Sequence, residues 1–103
     1  MRLGVVVTDE SSLPRAVGLL DAAHASGWET SVFLTHTGVN VLAHDRFVEL
    51  ARAYPNIVSL CEHSVEHHAG DRFDLADHAD VVIVGGQYQN AELARKCDKV
   101  LVF

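Results

Sequence analysis

Five short, mostly apolar runs recur along the chain, and they constrain its fold more than any other feature of the sequence. They are LGVVV at 3–7, SVFL at 31–34, IVSL at 57–60, VVIV at 81–84 and KVLVF at 99–103. Runs rich in β-branched residues are typical of strands in a parallel sheet that is covered on both faces. A segment of helix length separates most of the runs. The alternation therefore predicts an α/β fold: a three-layer α/β/α sandwich with a five-stranded, mainly parallel sheet and right-handed crossovers.

The segments between the runs carry signals for the start and end of helices. The turn TDESS at 8–12 is rich in capping side chains, and apolar residues follow it at helical spacing until Gly27. An amphipathic pattern over 41–54 predicts a second helix, which Pro55 ends. Shorter helical stretches precede the fourth and fifth runs.

The composition is that of an ordinary globular domain. A length of 103 residues suffices for one core, and 49% hydrophobic with 21% charged residues argues against disorder. The net charge is −6 with histidine neutral, and the eight Lys and Arg residues are scattered singly, so nucleic acid is not an expected partner. The first residues form neither a signal peptide nor a membrane-spanning helix. We therefore expect a single domain over 1–103 that is cytoplasmic and has no membrane partner.

The loop after the first run lacks the glycines that nucleotide cofactors need. A dinucleotide site requires G-x-G-x-x-G at this point, whereas residues 8–13 read TDESSL. The pattern G-x-x-x-x-G-K-[ST] does not occur either, and no cofactor is expected. A phospho-receiver domain would share the acidic pair Asp9 and Glu10, but it needs an aspartate where Cys61 stands.

Cys61 ends the third run where a helix begins, which is where open α/β sheets place their chemistry. Backbone N–H groups or an imidazolium nearby lower the pKa of such a thiol, and the thiolate is the form that attacks sulfur or binds metal. Carboxylates such as Glu62 would act in the opposite direction. The carboxyl ends of parallel strands meet at one edge of a sheet, so we expect a site there with Cys61 as its catalytic residue. The expected lining residues are Asp9, His36, Asn40, His63, Ser64, Gln87 and Tyr88.

The residues alone leave alternatives to a reactive thiol open. Cysteine is often a small apolar residue at the end of a strand, and this interpretation is favoured for Cys97. His63 and His67 share one helix face at i and i+4, so with Cys61 they could hold a soft metal. No second Cys/His pair stands at metal-binding spacing, so solvated histidines, or histidines that tune the thiol, are favoured over a metal site. Both cysteines are expected to be thiols, with an intramolecular disulfide as the less favoured alternative.

Three features carry a resemblance to a known family. They are a short first strand with a polar turn, the segment VFLTHTGV at 32–39, and a cysteine after the third strand. In these features the chain resembles the DsrE/DsrF-like family of small sulfur-relay proteins over most of its length. The resemblance implies a five-stranded α/β/α fold, homo- or hetero-oligomers, and a cysteine that carries a persulfide. Only Cys61 matches the position of that cysteine.

The expected function is therefore persulfide carriage, a sulfurtransferase-type activity in which Cys61 takes sulfur from a donor protein and passes it to an acceptor protein. Two other functions are kept as alternatives. The first is a non-catalytic oligomeric subunit that binds a small ligand or a partner. The second is a metal-binding module built on Cys61, His63 and His67.

Overall fold

The computed structural model describes all of residues 1–103. Its five strands are β1 Arg2–Val7, β2 Glu29–Leu34, β3 Val58–Cys61, β4 Val82–Gly85 and β5 Lys99–Val102. Its four α-helices are α1 Leu13–Ala25, α2 Asp45–Ala53, α3 Glu62–His68 and α4 Gln87–Lys96. Three 3-10 segments complete the chain at Glu10–Ser12, His36–Ala43 and Leu75–His78.

The strands form one five-stranded sheet in the order β4-β3-β2-β1-β5, and every neighbouring pair is parallel. The predicted α/β sandwich is thus confirmed, with a sheet that is wholly rather than mainly parallel. The chain steps from β1 to β4 in one direction and then returns to the far side of β1 for β5. Because parallel crossovers are right-handed, the first three connections cover one face and α4 covers the other.

The face under α1 and α2 holds most of the core. A cluster of 19 buried residues lies there, and Val5, Val32 and Val58 from adjacent strands are its centre. Leu20 of α1 and Phe47 of α2 are fully buried against them. Burial of apolar side chains at this interface is the main source of the stability of the fold.

The opposite face has a core of only four buried residues, Val6, Phe33, Cys61 and Leu93, with Cys97 packed beside them. Helix α4 supplies Leu93 and is the one helix on this side. It packs closely because a Cβ on Gly4 would lie 2.5 Å from a methyl carbon of Leu93. Beyond its reach the sheet is uncovered, so that Ile83 is 47% and Val102 is 66% exposed.

The second helix begins later than the sequence predicts. The expected helix over 41–54 starts at Asp45, and His36–Ala43 forms a 3-10 segment instead. The reason is that the residues from Gly38 to Leu42 are all buried, and five consecutive positions cannot share one face of an α-helix. The segment passes over the end of β1 and contacts its backbone at Gly38. A Cβ on Gly38 would lie 2.0 Å from the carbonyl oxygen of Val7.

The fifth run forms the last strand of the sheet. The pattern KVLVF predicted a fifth strand without its degree of burial, and all four residues of β5 are exposed at the edge of the sheet. No helix in the structure has the length and apolar character needed to cross a bilayer.

Candidate functional site

A cavity of about 590 Å³ lies at the carboxyl edge of the sheet, where β2, β3 and β4 end side by side. The 3-10 segment His36–Ala43, helix α3 and the first residues of α4 surround it. The lining residues are Thr35, His36, Cys61, His63, Ser64, His67, His68, Gly86 and Gln87. None of them is an aspartate, glutamate, lysine or arginine.

The cavity brings together Cys61, His36, His63, Ser64 and Gln87 from the residues that the sequence placed at this edge. Each follows the carboxyl end of a strand, and these strands are neighbours in the sheet. Parallel pairing is the reason that residues so distant in sequence line one opening.

Asp9, Asn40 and Tyr88 do not line the cavity, contrary to the prediction from sequence. Asp9 lines a separate cavity of about 570 Å³ and accepts a hydrogen bond from the Ser11 N–H at 2.9 Å. The 3-10 segment His36–Ala43 packs against both α3 and the turn that follows Asp9, so it lies between Asp9 and Cys61.

Asn40 is buried within that segment, and its side-chain amide donates a hydrogen bond to the His68 carbonyl at 3.1 Å. It therefore fixes the end of α3 from beneath instead of lining the site. Tyr88 is 71% exposed and projects into solvent beside Gln87. A tyrosine on the outer side of the first turn of α4 has no partner to hold it over the opening.

The thiol of Cys61 is largely enclosed. The residue is 7% exposed and packs against Phe33 and Leu93 on one side while it lines the cavity on the other. Burial is the largest single influence and raises the pKa of the thiol, since it disfavours the charged form. The Ser64 hydroxyl, the N–H groups of Ser64 and His63, and the Gln87 side chain act together in the opposite direction and lower the pKa below its ordinary value.

These donors act on the thiolate rather than on the neutral thiol. Cys61 is the residue that precedes α3, and its side chain makes no capping hydrogen bond there. A sulfur that carries negative charge attracts the surrounding N–H and O–H dipoles much more strongly than an S–H group does. The surroundings of Cys61 thus favour ionisation of the thiol.

Ser64 has its hydroxyl proton available for the sulfur. Its oxygen accepts the His36 backbone N–H at 2.9 Å and lies 3.2 Å from the Thr35 hydroxyl oxygen. A hydroxyl has one proton to donate and two lone pairs. When Thr35 and His36 both donate to the Ser64 oxygen, the Ser64 proton can point to Cys61.

His36 adopts a left-handed backbone conformation with φ of 52°. This region is uncommon for residues other than glycine, and it costs a residue with a Cβ about 1–2 kcal/mol. The turn is the one that directs the His36 N–H to Ser64, so the hydrogen bond at 2.9 Å partly offsets the strain. A strained residue at the mouth of a cavity is a common feature of functional sites.

Four imidazole rings surround the opening. The ring centroids of His63 and His67 are 4.2 Å apart, and those of His36 and His68 are 6.1 Å apart. The histidine rings that hydrogen-bond to protein are His24 and His44, both elsewhere, so the four rings at the cavity keep their nitrogens free.

The rings and the thiol do not converge on a metal position. No group of three or more His, Cys, Asp or Glu side chains is arranged to hold a metal ion. Cys61, His63 and His67 line one cavity without forming a ligand set, and both cysteines are free thiols.

Thr35 and Gly86 also line the cavity, and neither was predicted from the sequence. Thr35 is the last position before the His36 turn, and Gly86 precedes α4, so their places at the ends of two predicted strands were the available signal. His68, the last residue of α3, lines the cavity as well.

A second cavity of about 630 Å³ lies at the opposite, amino edge of the sheet. His24 lines it, stacked on Tyr54 with ring centroids 3.6 Å apart and bonded to the Thr30 hydroxyl at 2.7 Å. This cavity is slightly larger, and neither cysteine lines it. The cavity at the carboxyl edge is therefore the one that can support thiol chemistry, because Cys61 lines it.

Comparison of the chain with protein-family models, with curated proteins and with solved structures finds no match.

Proposed function

We propose that the protein carries sulfur as a persulfide on Cys61. The observation that carries the proposal is a thiol that lines a cavity and has its pKa lowered by Ser64, His63 and Gln87 despite burial. The thiolate is the attacking form in sulfur exchange, and a lowered pKa increases its fraction at neutral pH.

The proposed cycle consists of two exchanges that need no external oxidant or reductant. In the first, the Cys61 thiolate attacks the outer sulfur of a donor persulfide, the S–S bond of the donor breaks, and the donor leaves as a thiolate. In the second, an acceptor thiolate attacks the outer sulfur held on Cys61, and Cys61 leaves as a thiolate. Each step forms one S–S bond and breaks one.

The surroundings of Cys61 suit both steps. A persulfide extends the side chain by an S–S bond of about 2 Å, which carries the outer sulfur away from Leu93 and into the cavity. The same N–H and O–H groups that favour the thiolate then stabilise it as the leaving group. In this proposal Cys61 is the catalytic residue, and Ser64 and Gln87 stabilise the negative charge on its sulfur.

Loading of sulfur followed by mass measurement tests the proposal. The chain is incubated with hydropolysulfide or with a persulfide-charged cysteine desulfurase, and the peptides that contain each cysteine are weighed. We expect Cys61 to gain one sulfur atom and to pass it to an acceptor thiol. Cys97→Ser serves as the matched control that keeps loading, and Cys61→Ser should abolish it. Absence of sulfur on Cys61, together with alkylation no faster than that of Cys97, contradicts the proposal.

A carrier of this kind works between a sulfur donor and an acceptor protein, and we propose a reducing compartment such as the cytoplasm as its place. Both cysteines are free thiols, which suits such a compartment. The resemblance to sulfur-relay proteins supports the same assignment.

A second candidate function is an oligomeric binding subunit without catalysis. The observation that favours it is the uncovered part of the sheet, where Ile83 and Val102 are exposed. Exposed apolar surface of this kind is common where protein partners bind. Sulfur transfer, measured together with sedimentation in the wild type and in Cys61→Ser, separates the two functions. A binding subunit keeps its partner in the variant, whereas a carrier keeps its assembly and loses transfer.

A further inference from the structure

We propose that the cavity beside Cys61 accepts a small dianion that carries a sulfane sulfur, of the thiosulfate class, as the direct donor of sulfur. This inference rests on the proposed function and names the substrate of the same site. It follows from the enclosure of the thiol, from the free hydrogen-bond donors around it, and from the absence of carboxylates in the lining.

Enclosure of the thiol favours a small donor. Cys61 is 7% exposed and is partly covered by Phe33 and Leu93, so little of its surface is open to another macromolecule. A protein donor would have to bring its own persulfide into line with this recessed sulfur. The cavity of about 590 Å³ admits a small solute together with water.

Hydrogen-bond donors that have no partner in the protein surround the cavity. Each imidazole of His36, His63, His67 and His68 has at least one N–H group in any protonation state, and none of these rings is hydrogen-bonded to protein. The Gln87 side-chain oxygen already accepts a hydrogen bond from Asn90 at 3.2 Å, so its amide NH₂ is the part left to donate. Such a set of donors suits the oxygens of a sulfonate-like group.

The absence of carboxylates from its lining distinguishes this cavity from the rest of the surface. The chain has 14 Asp and Glu residues and a net charge of −6, yet no carboxylate lines the cavity. Glu62 and Glu66 of α3 are exposed and lie outside it. An anion there meets imidazoles and N–H groups, and the Cys61 thiolate that attacks it is the only negatively charged side chain in the lining. A metal cation finds no ligand set.

The transfer balances without a further reagent. The Cys61 thiolate attacks the sulfane sulfur of thiosulfate, an S–S bond forms between them, and the S–S bond of thiosulfate breaks. Sulfite leaves with the electron pair of that bond, and Cys61 becomes a persulfide anion. The total charge of −3 is the same before and after the step, because thiosulfate and sulfite are both dianions.

The test measures sulfite release and sulfur gain in the full chain with Cys97→Ser as background. Thiosulfate should load Cys61 with saturation and with one sulfite released for each sulfur gained. Sulfate, a dianion without a sulfane sulfur, should compete with thiosulfate at equal ionic strength, and this measurement requires no further variant.

The double variant His63→Ala with His67→Ala tests the lining. Loss of two donors to a charged ligand should lower the second-order rate constant with thiosulfate by about tenfold or more. The rate with iodoacetamide, a neutral reagent for the same sulfur, should change by less than about twofold, since Ser64 and Gln87 still hold the thiolate. A parallel fall with both reagents overturns the role of the histidines in binding.

The outcomes separate this inference from the proposed function. If hydropolysulfide loads Cys61 and thiosulfate does not, the donor is not of the thiosulfate class, and the persulfide carrier stands. If thiosulfate loads Cys61 without saturation or competition by sulfate, the cavity is not its binding site. If no donor loads Cys61, both proposals fail together.

Discussion

Cys61 and Cys97 border the same small core, yet their surroundings shift the two thiol pKa values in opposite directions. The N–H and O–H groups near Cys61 outweigh burial and lower its pKa. At Cys97 burial is the largest influence and raises the pKa, and the Ser31 hydroxyl offsets it only in part. The chemical difference between the two thiols therefore comes from the donors that each one faces.

Alkylation across a pH series should reveal this difference. We expect iodoacetamide to label Cys61 at lower pH than Cys97, because the rate follows the thiolate fraction. Access alone predicts the reverse order, since Cys97 is the more exposed of the two. Mass spectrometry of the two labelled peptides gives the order, and earlier labelling of Cys97 at every pH contradicts the assignment of donors to Cys61.

Ser64→Ala tests the donor that most lowers the Cys61 pKa. Loss of the hydroxyl should raise the pKa of the thiol and slow its alkylation at neutral pH. It also leaves the His36 N–H without its acceptor, so the free energy of unfolding should fall by about 1–3 kcal/mol. Ser59→Ala is the matched control, because that hydroxyl makes a long bond of 3.4 Å to the Val32 carbonyl and lies outside the cavity. An unchanged Cys61 pKa in Ser64→Ala contradicts this account.

At the scale of single residues, the sequence located the thiol but not its acidity. The position of Cys61 after an apolar run was readable, and so were the nearby His63, Ser64 and Gln87. The bond between Ser64 and the His36 backbone was not, because it depends on a left-handed turn that no local pattern requires. The stacking of His24 on Tyr54 was not readable either, because it joins residues that are distant in sequence.

The 3-10 segment His36–Ala43 is the element that shapes the site, and its contact with β1 depends on Gly38. Gly38→Ala places a Cβ against the Val7 backbone, so we expect a loss of about 1–3 kcal/mol in the free energy of unfolding. Gly18→Ala is the matched control on an open face of α1, with nothing within 4 Å of the new Cβ. Because alanine favours helices, Gly18→Ala should raise stability by about 0.5–1 kcal/mol. Urea unfolding measures both, and equal effects contradict the contact.

Glu10 links three elements at the other side of that segment. It pairs with Arg72 after α3 and with His44 before α2. The hydrogen bonds from Arg72, and then from His44, lower the pKa of Glu10 from 4.5 to about 2. A carboxyl whose folded pKa is depressed stabilises the fold above its unfolded pKa, and this contribution is lost as pH falls through the folded value.

Glu10→Gln should therefore be less stable than the wild type at pH 6. The difference should shrink between pH 4.5 and about 2, as the wild-type carboxyl takes up its proton. Thermal unfolding of both proteins over this range measures it. A difference that stays constant with pH assigns the effect to packing instead of charge.

The strands and helices were predictable because apolar runs, caps and prolines agree with one another. The 3-10 segment His36–Ala43 was not predictable, because its consecutive buried residues fit neither a helical nor an alternating period. The edge position of β5 was not predictable for another reason: a run of Val and Leu has the same pattern at the centre and at the edge of a sheet.

The molecule as a whole is asymmetric, with 19 buried residues in one core and four in the other. Strand order sets this difference, since three crossovers share one face and only α4 crosses the second. The sequence predicted three layers but gave no measure of how full each would be. Strand order depends on contacts between distant segments, which a local pattern does not encode.

Leu93→Ala and Leu20→Ala form a matched pair that tests this asymmetry. Each removes a buried leucine and should lower the free energy of unfolding by about 2–5 kcal/mol. Hydrogen exchange should distinguish them. In Leu93→Ala the amides of α4 and β5 should exchange faster than those of β1 and β2, whereas Leu20→Ala should speed exchange throughout the sheet. A uniform response in both variants contradicts a separable second layer.

Helix α4 both packs over Cys61 through Leu93 and forms the thinner layer alone. The Cys61 sulfur thus lies beneath the layer with the fewest buried residues, and we expect this layer to detach at the lowest cost in free energy. Brief detachment of this helix would expose the sulfur to a large partner without unfolding the main core. The equilibrium between attached and detached α4 would then control access to the Cys61 sulfur. Small solutes would reach the sulfur at all times, and large partners only while the helix is detached.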